Sequence, residues 1–440
     1  MKIRGTSWLF TAVAIICNVS LVSADFKEEK SAYPFNFLDR QLTLILINDN
    51  FSPPVASRVY AYTSISSYSM LVESSNKENR LRNLLIGFPK VNQATLRGGY
   101  SPSLASAYTF YYLSKKLIYT FSPFDDSFKV LLHWYKTKGC TDKEIENSMK
   151  IASQYAELWN EWIGKDNFAK TRRMPDYVLD DDPGHWVPTY PGYMPALEPH
   201  WGEIRHLSVS ASSLNFKNFV AITFDTARNS AFYKEGLAVY NIAGNMTKEQ
   251  LHIADFWDCN AFEIFPEGHR DNIIKKMSPG GHWMNIVSIA CKTSKADIYK
   301  SAYAYALTAT ALFEGFIHTW ALKYTFKAIR PETYLQNIGY PDFRSYLQSP
   351  PFPEYPSGHA VISMSAATVL TSVFGNSLSF VDNTEDPWGI PARTFNSFVS
   401  AAEEAGISRF YGHIHYRYSC VEGGKIGALV GQNLLTGMKK

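Results

Sequence analysis

IYKSAYAYALTATALFEGFIHTWALKYTF, residues Ile298 to Phe326, reads as one long helix, and its polarity decides the class of protein. A membrane-spanning helix needs about 20 predominantly apolar residues. The nearest approach to such a run, Ala302 to Leu322, is interrupted by Glu314, His318 and several Thr. The mean hydropathy of the whole chain is slightly negative. The stretch therefore reads as the centre of a soluble helical bundle. Glu314 and His318 are four apart on one face, a spacing that metal sites also use. The preferred reading is a polar pair hydrogen-bonded inside the bundle.

Other helix signals surround it. Thr141-Asp-Lys-Glu144 and Thr247-Lys-Glu-Gln250 have the form of capping boxes, the first opening a helix through Trp162 and the second one toward Trp257. Thr226–Tyr240, His359–Phe374 and Thr394–Ala405 read as further helices. Alternating Val, Ile and Thr runs are scarce, so the expected fold class is all-α. Asp180 to Gly202, rich in Asp, Pro, Trp and Tyr, reads as either a linker or a long aromatic loop over a pocket. It marks a division into a helical region, 25–200, and a second region, 201–440.

Three patches of that second region combine into a box for one tetrahedral oxyanion: Lys323 with Arg330-Pro331, then Pro356-Ser357-Gly358-His359, then Ser408-Arg409 with His415. Arg330 and Arg409 offer permanently charged, bidentate donors, and Lys323 adds a compact cation. Ser357 can donate its hydroxyl. Gly358 lets backbone N–H groups approach at a helix N-terminus, where the dipole favours an anion. His415 and His359 suit proton transfer, nucleophilic attack or metal ligation. Lys323 and Arg330, seven apart, share one helical face.

In order and spacing these patches resemble the vanadium-dependent haloperoxidase and type 2 phosphatidic acid phosphatase superfamily. The resemblance covers about the last third of the chain and rests on KYTFKAIRP (Lys323–Pro331), PSGH (Pro356–His359) and SRFYGHIH (Ser408–His415). It implies a helical-bundle fold and an anion held at His415, with His359 as the acid–base group. The family pattern carries an Asp four residues beyond the second His. Here that position is Ser419, which supplies no charge to the imidazole, and Glu422 is the nearby acidic residue that could substitute.

Two chemistries use such a box. In the haloperoxidases vanadate is the cofactor, ligated by the equivalent of His415, and the substrates are hydrogen peroxide and halide. In the phosphatases the same His attacks a phosphomonoester, and phosphate occupies the box. PPFPEYPSGHA (Pro350–Ala360), with Phe352 where chloroperoxidase-like members carry Phe, and Trp320 three residues before Lys323 resemble the haloperoxidase side; Trp320 and Phe352 are expected in the pocket wall. Chain length points the same way. ITFDTARNSAFYKEGLAVY (Ile222–Tyr240), HIADFWDCN (His252–Asn260) and GGHWM (Gly280–Met284) resemble a bacterial secreted branch, in which Asp258 would pair with a pocket arginine. A helical anion-binding scaffold without activity is the non-enzymatic alternative.

Composition bounds the remaining choices. An apolar fraction of 46% allows a large core, and 27 Tyr with 28 Phe imply many buried rings. The net charge is +3 with no basic block, so no nucleic-acid partner is expected. Residues 1–24 read as a signal peptide: Lys2 and Arg4, an apolar stretch from Trp8 to Cys17, then Val22-Ser23-Ala24. The expected location is secreted or periplasmic, with no transmembrane domain in the mature chain; a lipid anchor at Cys17 is the lesser alternative. Cys140, Cys259, Cys291 and Cys420 would allow up to two disulfides in an oxidising compartment, buried free thiols being the preferred reading, and zinc has no Cys-x-x-Cys to recommend it.

Overall fold

The computed structural model describes residues 31–90, 96, 99–261, 263–267 and 270–438. The signal-peptide reading, with Cys17, lies outside them. In chain order the helices are α1 (Tyr33–Asn48), α2 (Pro53–Ser74), α3 (Pro102–Leu117), α4 (Ser122–Thr137), α5 (Asp142–Ile163), α6 (Phe168–Thr171), α7 (Val209–Ser212), α8 (Ala231–Ala243), α9 (Lys248–Phe256), α10 (Pro279–Thr293), α11 (Ile298–Phe326), α12 (Pro331–Asn337), α13 (Gly358–Phe374), α14 (Phe398–Tyr411) and α15 (Arg417–Gly437). Strand is confined, among the described residues, to two antiparallel hairpins: β1 (Glu263–Glu267) with β2 (Arg270–Ile274), and β3 (Phe380–Asp382) with β4 (Arg393–Phe395).

Both capping boxes form. Thr141 accepts from the Glu144 N–H and Thr247 from the Gln250 N–H, each answered by the reciprocal bond, so α5 and α9 start where the sequence places them. Two other boundaries move. The helix anticipated from Thr226 starts at Ala231, because Ser230 Oγ caps the Tyr233 N–H. Thr394 belongs to β4, paired with Val381, and α14 begins after the Ser397 cap and runs past Ala405 to Tyr411. A short strand followed by a helix had merged into one apolar pattern.

α11 is the axis. Its residues are buried on every face from Ala304 to Trp320, against α2 on one side and α13 on another. Alanines 304, 306, 309 and 311 keep its profile narrow, so neighbours reach its backbone. Each enclosed Leu, Ile or Phe on it contributes about 1.5–3 kcal/mol over an exposed one. No helix among the described residues is long and apolar enough to cross a membrane. One apolar core runs from Phe35 in α1 to Leu434 in α15, so the regions on either side of residue 200 share a core. Asp180–Gly202 is the aromatic loop rather than a spacer. Trp186 is buried, and the Leu197 carbonyl accepts from Trp320 Nε1 (3.1 Å) and Tyr324 OH (2.6 Å).

α13 and α15 pack with almost no side chain between them. Gly423, Gly427 and Gly431 recur every fourth residue along the facing side of α15. A methyl group at Gly431 would come within 2.6 Å of Thr368 Cβ, one at Gly423 within 2.9 Å of the Ser357 carbonyl, and one at Gly427 would overlap the Val361 carbonyl. This contact sets the N-terminus of α13, with Ser357 and His359, against the start of α15, with His415 and Ser419. All four described cysteines are buried, and no disulfide joins any two of them.

Candidate active site

Four chain segments meet at one cleft: the C-terminal end of α11, the loop 350–357 leading into α13, the α14–α15 turn, and Trp257–Ala261 after α9. The cleft encloses about 590 Å³ of free space, part of it open to solvent. Trp320, Phe352, Gly358, His359, Arg409 and His415 line it. Lys323, Arg330 and Ser357 lie just behind that wall, each fully buried. All the residues anticipated from the three patches are thus in one place.

Lys323 donates to the carbonyls of Pro353 (2.8 Å), Glu354 (2.9 Å) and Pro356 (2.7 Å). Burial, with Arg330 next to it, holds its pKa well below the usual lysine value. Arg330 reaches the Phe352 carbonyl through Nε (3.1 Å) and NH2 (2.9 Å). Its NH1 contacts the Ile414 carbonyl (2.8 Å) and His415 Nε2 (3.1 Å). Burial pulls its pKa down to about 9. Both cations sit over the Phe352 ring, 5.0 and 5.1 Å from its centre, and Trp320 packs 5.0 Å from the same ring. Phe352 therefore keeps water from the two cations as well as forming the wall.

His415 reaches the cleft because His413 adopts a left-handed turn (φ 61°) after α14. His413 itself faces away, accepting from the Tyr346 N–H at 3.1 Å, as a loop residue. Nδ1 of His415 lies 2.7 Å from Glu354 Oε1. With Arg330 donating to Nε2, the consistent assignment puts the proton on Nδ1 and a lone pair on Nε2. Burial first, and then Arg330, Lys323, Arg409 and His359, hold the His415 pKa well below the ordinary histidine value, so the ring is neutral.

Glu354 is the residue the sequence reading missed. It is wholly buried, accepts from His415, from the Tyr416 N–H (3.2 Å) and from Ser419 Oγ (2.8 Å), and burial raises its pKa to about 7. It provides the carboxylate that Ser419 lacks. Glu422 does not: it pairs with Lys425 at 2.8 Å on the outer side of α15. The available signal was a lone acidic residue in PPFPEYPSGH, an otherwise uncharged run ahead of the His.

Arg409 gives NH1 to the Trp257 carbonyl (2.8 Å) and has NH2 3.6 Å from Asp258 Oδ1, so Asp258 does face a pocket arginine. His359 bonds to the same Trp257 carbonyl, and its pKa is held well below the usual value by burial and by Arg409. Four atoms here have no hydrogen-bond partner: Ser357 Oγ, Arg409 Nε, His359 Nε2 and Asp258 Oδ1. Ser357 is the N-cap of α13, yet its hydroxyl makes no capping bond; the Cys420 thiol lies beside it. Buried polar groups of native proteins are nearly always satisfied, so the unpartnered donors Arg409 Nε and Ser357 Oγ beside this cleft fit an oxyanion guest. The site suits vanadate or phosphate: guanidinium and hydroxyl donors for oxygens, and an imidazole lone pair for the central atom.

Elsewhere in the bundle, Glu314 accepts from the Leu207 N–H (2.7 Å), the Ser208 N–H (2.8 Å) and His206 Nδ1 (2.5 Å), while the His318 ring lies tilted beside that of His206, 4.6 Å between centres.

The model of the second helical-bundle domain of vanadium chloroperoxidase matches residues 303–440. The chain is similar to the crystal structure of a bacterial vanadium-dependent iodoperoxidase, with 36% identity and a TM-score of 0.84, covering 92% of this chain and 96% of that one. Holo and apo bacterial vanadium-dependent chloroperoxidases share the fold at 13% and 14% identity, with TM-scores of 0.64 and 0.59. They cover 94% and 88% of this chain, and 99% and 95% of their own. A search of curated proteins returns no match.

Proposed function

The chain belongs to the vanadium-dependent haloperoxidase family, and on that premise we propose an iodide-oxidising enzyme whose vanadate is ligated by His415 Nε2 and enclosed by Lys323, Arg330, Ser357, Gly358 and Arg409. That the chain is a haloperoxidase-like enzyme follows from its likeness to the iodoperoxidase structure. The preference for iodide is supported by the 36% identity, sustained over nearly the whole of both chains, to a protein described as an iodoperoxidase.

Bound vanadate would supply Lewis-acid activation of hydrogen peroxide toward halide. The protein's own groups prepare for it. Glu354 keeps the His415 proton on Nδ1, so the lone pair is on Nε2, where Arg330 NH1 holds it at 3.1 Å and would yield to a ligated ion. Arg330 and Arg409 balance the anion's charge in a dry setting, where each charge counts for more than in water. His359, neutral and bonded to Trp257 O, has Nε2 free to take a proton from peroxide and return it. Trp320, Phe352 and Phe316 give that exchange an apolar wall. Residues 201–440 carry the box, and 25–200 buttress it through α2 and the loop ending at Leu197. The basic, apolar, small-residue order of residues 1–24 supports export with cleavage after Ala24.

The observation that carries this reading is that His359, Arg409 and His415 line one cleft while Arg409 Nε and His359 Nε2, with Ser357 Oγ buried behind the wall, lack hydrogen-bond partners. The test is reconstitution with orthovanadate followed by peroxide-dependent oxidation of iodide, bromide and chloride, with hydrolysis of an aryl phosphate assayed in parallel. Iodide turnover, lost in His415→Ala, is expected. A folded protein that retains vanadium and hydrolyses the ester without oxidising any halide would replace this reading with the phosphatase one.

A further inference from the structure

A second cluster of ligating groups lies beside the cleft and shares no residue with the oxyanion box. His282 in α10 is completely buried, and its Nδ1 faces Glu385 Oε1 at 3.1 Å and Cys259 Sγ at 3.8 Å. The ligating atoms of the three residues lie within 4.8 Å of one another. Cys259 is 2% exposed and Glu385 5%. Metal bonds of about 2.3 Å to sulfur and about 2.0 Å to nitrogen or oxygen would set neighbouring ligand atoms of a tetrahedral ion about 3.3–3.6 Å apart. The observed separations straddle that range.

Two further observations point to a cation. Glu385 Oε1 makes no hydrogen bond, although it is buried and only 3.1 Å from a ring nitrogen. The oxygen is close enough but off the N–H axis, a poor place for a proton and a suitable one for a shared metal. On the far side of the ring, Nε2 is 2.8 Å from Asp382 Oδ2, and Asp382 Oδ1 accepts from the Thr384 N–H at 3.0 Å. A carboxylate on the second nitrogen is the partner that fixes the tautomer and orientation of a metal-bound histidine.

We propose that Cys259, His282 and Glu385 bind a zinc(II) ion, with Asp382 orienting the imidazole. The mixed sulfur, nitrogen and oxygen set suits a borderline-soft, redox-inert ion. Three protein ligands leave one coordination position for water. Cys259 also lines the reaction cleft, and its neighbour Asp258 faces Arg409. The ion would pin the cleft floor to α10 and to the turn after β3. The metal-free alternative is an imidazolium held between Asp382 and Glu385; burial works against that charge, but the Asp382 carboxylate and the contacts with Cys259 and Glu385 outweigh it and hold the His282 pKa well above the usual value.

The test uses the full chain, stripped with chelator and kept free of vanadate, so the outcome is independent of the oxyanion box. After incubation with zinc and desalting, wild type is expected to retain about one equivalent. Cys259→Ser and Glu385→Gln should each retain a tenth of that or less, and His318→Ala, in the His206–Glu314 cluster, should retain as much as wild type. Cobalt(II) in wild type should give a thiolate charge-transfer band, which decides the matter even where a variant fails to fold. Failure of wild type to retain zinc, absence of the cobalt band, or zinc retention that survives Cys259→Ser would overturn the proposal.

Discussion

Ser419 Oγ donates a 2.8 Å hydrogen bond to Glu354 Oε2, so the carboxylate missing from position 419 is present at the same imidazole, delivered by the loop before α13. Glu354 then uses Oε1 for His415 Nδ1. Ser419 supports the carboxylate rather than replacing it.

Glu354→Gln keeps an acceptor for His415 but loses the charge, and its amide cannot satisfy both donors. Outer partners of a metal-bound His typically change affinity or activity by about 10- to 100-fold when mutated. A loss of that size is expected in vanadate affinity or iodide kcat, measured by vanadate titration and steady-state assay. Wild-type values in the variant would remove Glu354 from its assigned role.

Putting the family's Asp back at position 419 should harm this protein. Two carboxylates at about 3 Å cannot both ionise cheaply. Ser419→Asp is therefore expected to lower activity at least tenfold and to be less active than Ser419→Ala, whereas Ser419→Asp with Glu354→Gln should recover part of the loss. A Ser419→Asp single variant as active as wild type would contradict the geometry. Ser419→Ala alone, by leaving Glu354 Oε2 without its donor, should cost about 1–3 kcal/mol in urea unfolding.

The Glu354 pKa, raised by burial from 4.5 to about 7, fixes the sign of a stability difference. Between those values the folded state holds a proton that the unfolded chain has released. Wild-type stability must therefore fall as pH rises from 4.5 to about 7 by this contribution, then level off. Glu354→Gln lacks it, so the variant should gain on wild type between about pH 5 and pH 8. Denaturant melts of both proteins at the two pH values measure this, and an unchanged difference would show that Glu354 is already ionised at the lower one.

Arg409→Lys preserves the charge and removes the fork. The free Nε of Arg409 should matter most once an anion is bound, so vanadate affinity is expected to fall by about tenfold or more while unfolding free energy changes little. Equal losses in affinity and stability would mean that Arg409 acts chiefly through Trp257 and Asp258.

Gly427→Ala tests the α13–α15 contact. The added methyl meets the Val361 carbonyl, and overpacking of this kind costs about 1–3 kcal/mol. Because the same contact sets His359 against His415, iodide turnover should fall in the fraction that remains folded. Stability and turnover both at wild-type levels would show that the helices can part without consequence.

Much of this was legible because it is local. Capping residues announce α5 and α9, and the polar interruptions of α11 separate a bundle axis from a membrane span. The three patches are short, so residue type and order along the chain brought Lys323, Arg330, Ser357, His359, Arg409 and His415 together; the shared helical face expected of Lys323 and Arg330 does not form, because α11 ends at Phe326, Lys327 turns left-handed and Arg330 stands at the N-cap of α12. Glu354 was hidden because its partner lies 61 residues away, and nothing in PPFPEYP reveals which way one carboxylate turns. Glu422 was attractive only through nearness in sequence, whereas its place on α15 directs it to Lys425. The Cys259–His282–Glu385 cluster spans three distant segments and has no spacing to detect.

An ammonium group has three protons, and the three on Lys323 are matched by the carbonyls of Pro353, Glu354 and Pro356. A newcomer can touch that nitrogen only by displacing one of them. Guest uptake and the shape of the 353–356 bend are therefore linked equilibria: whatever loosens the bend favours the guest, and whatever tightens it competes with the guest. Selection acting on this bend alone, at positions that never meet the substrate, could tune how firmly the mineral ion is held.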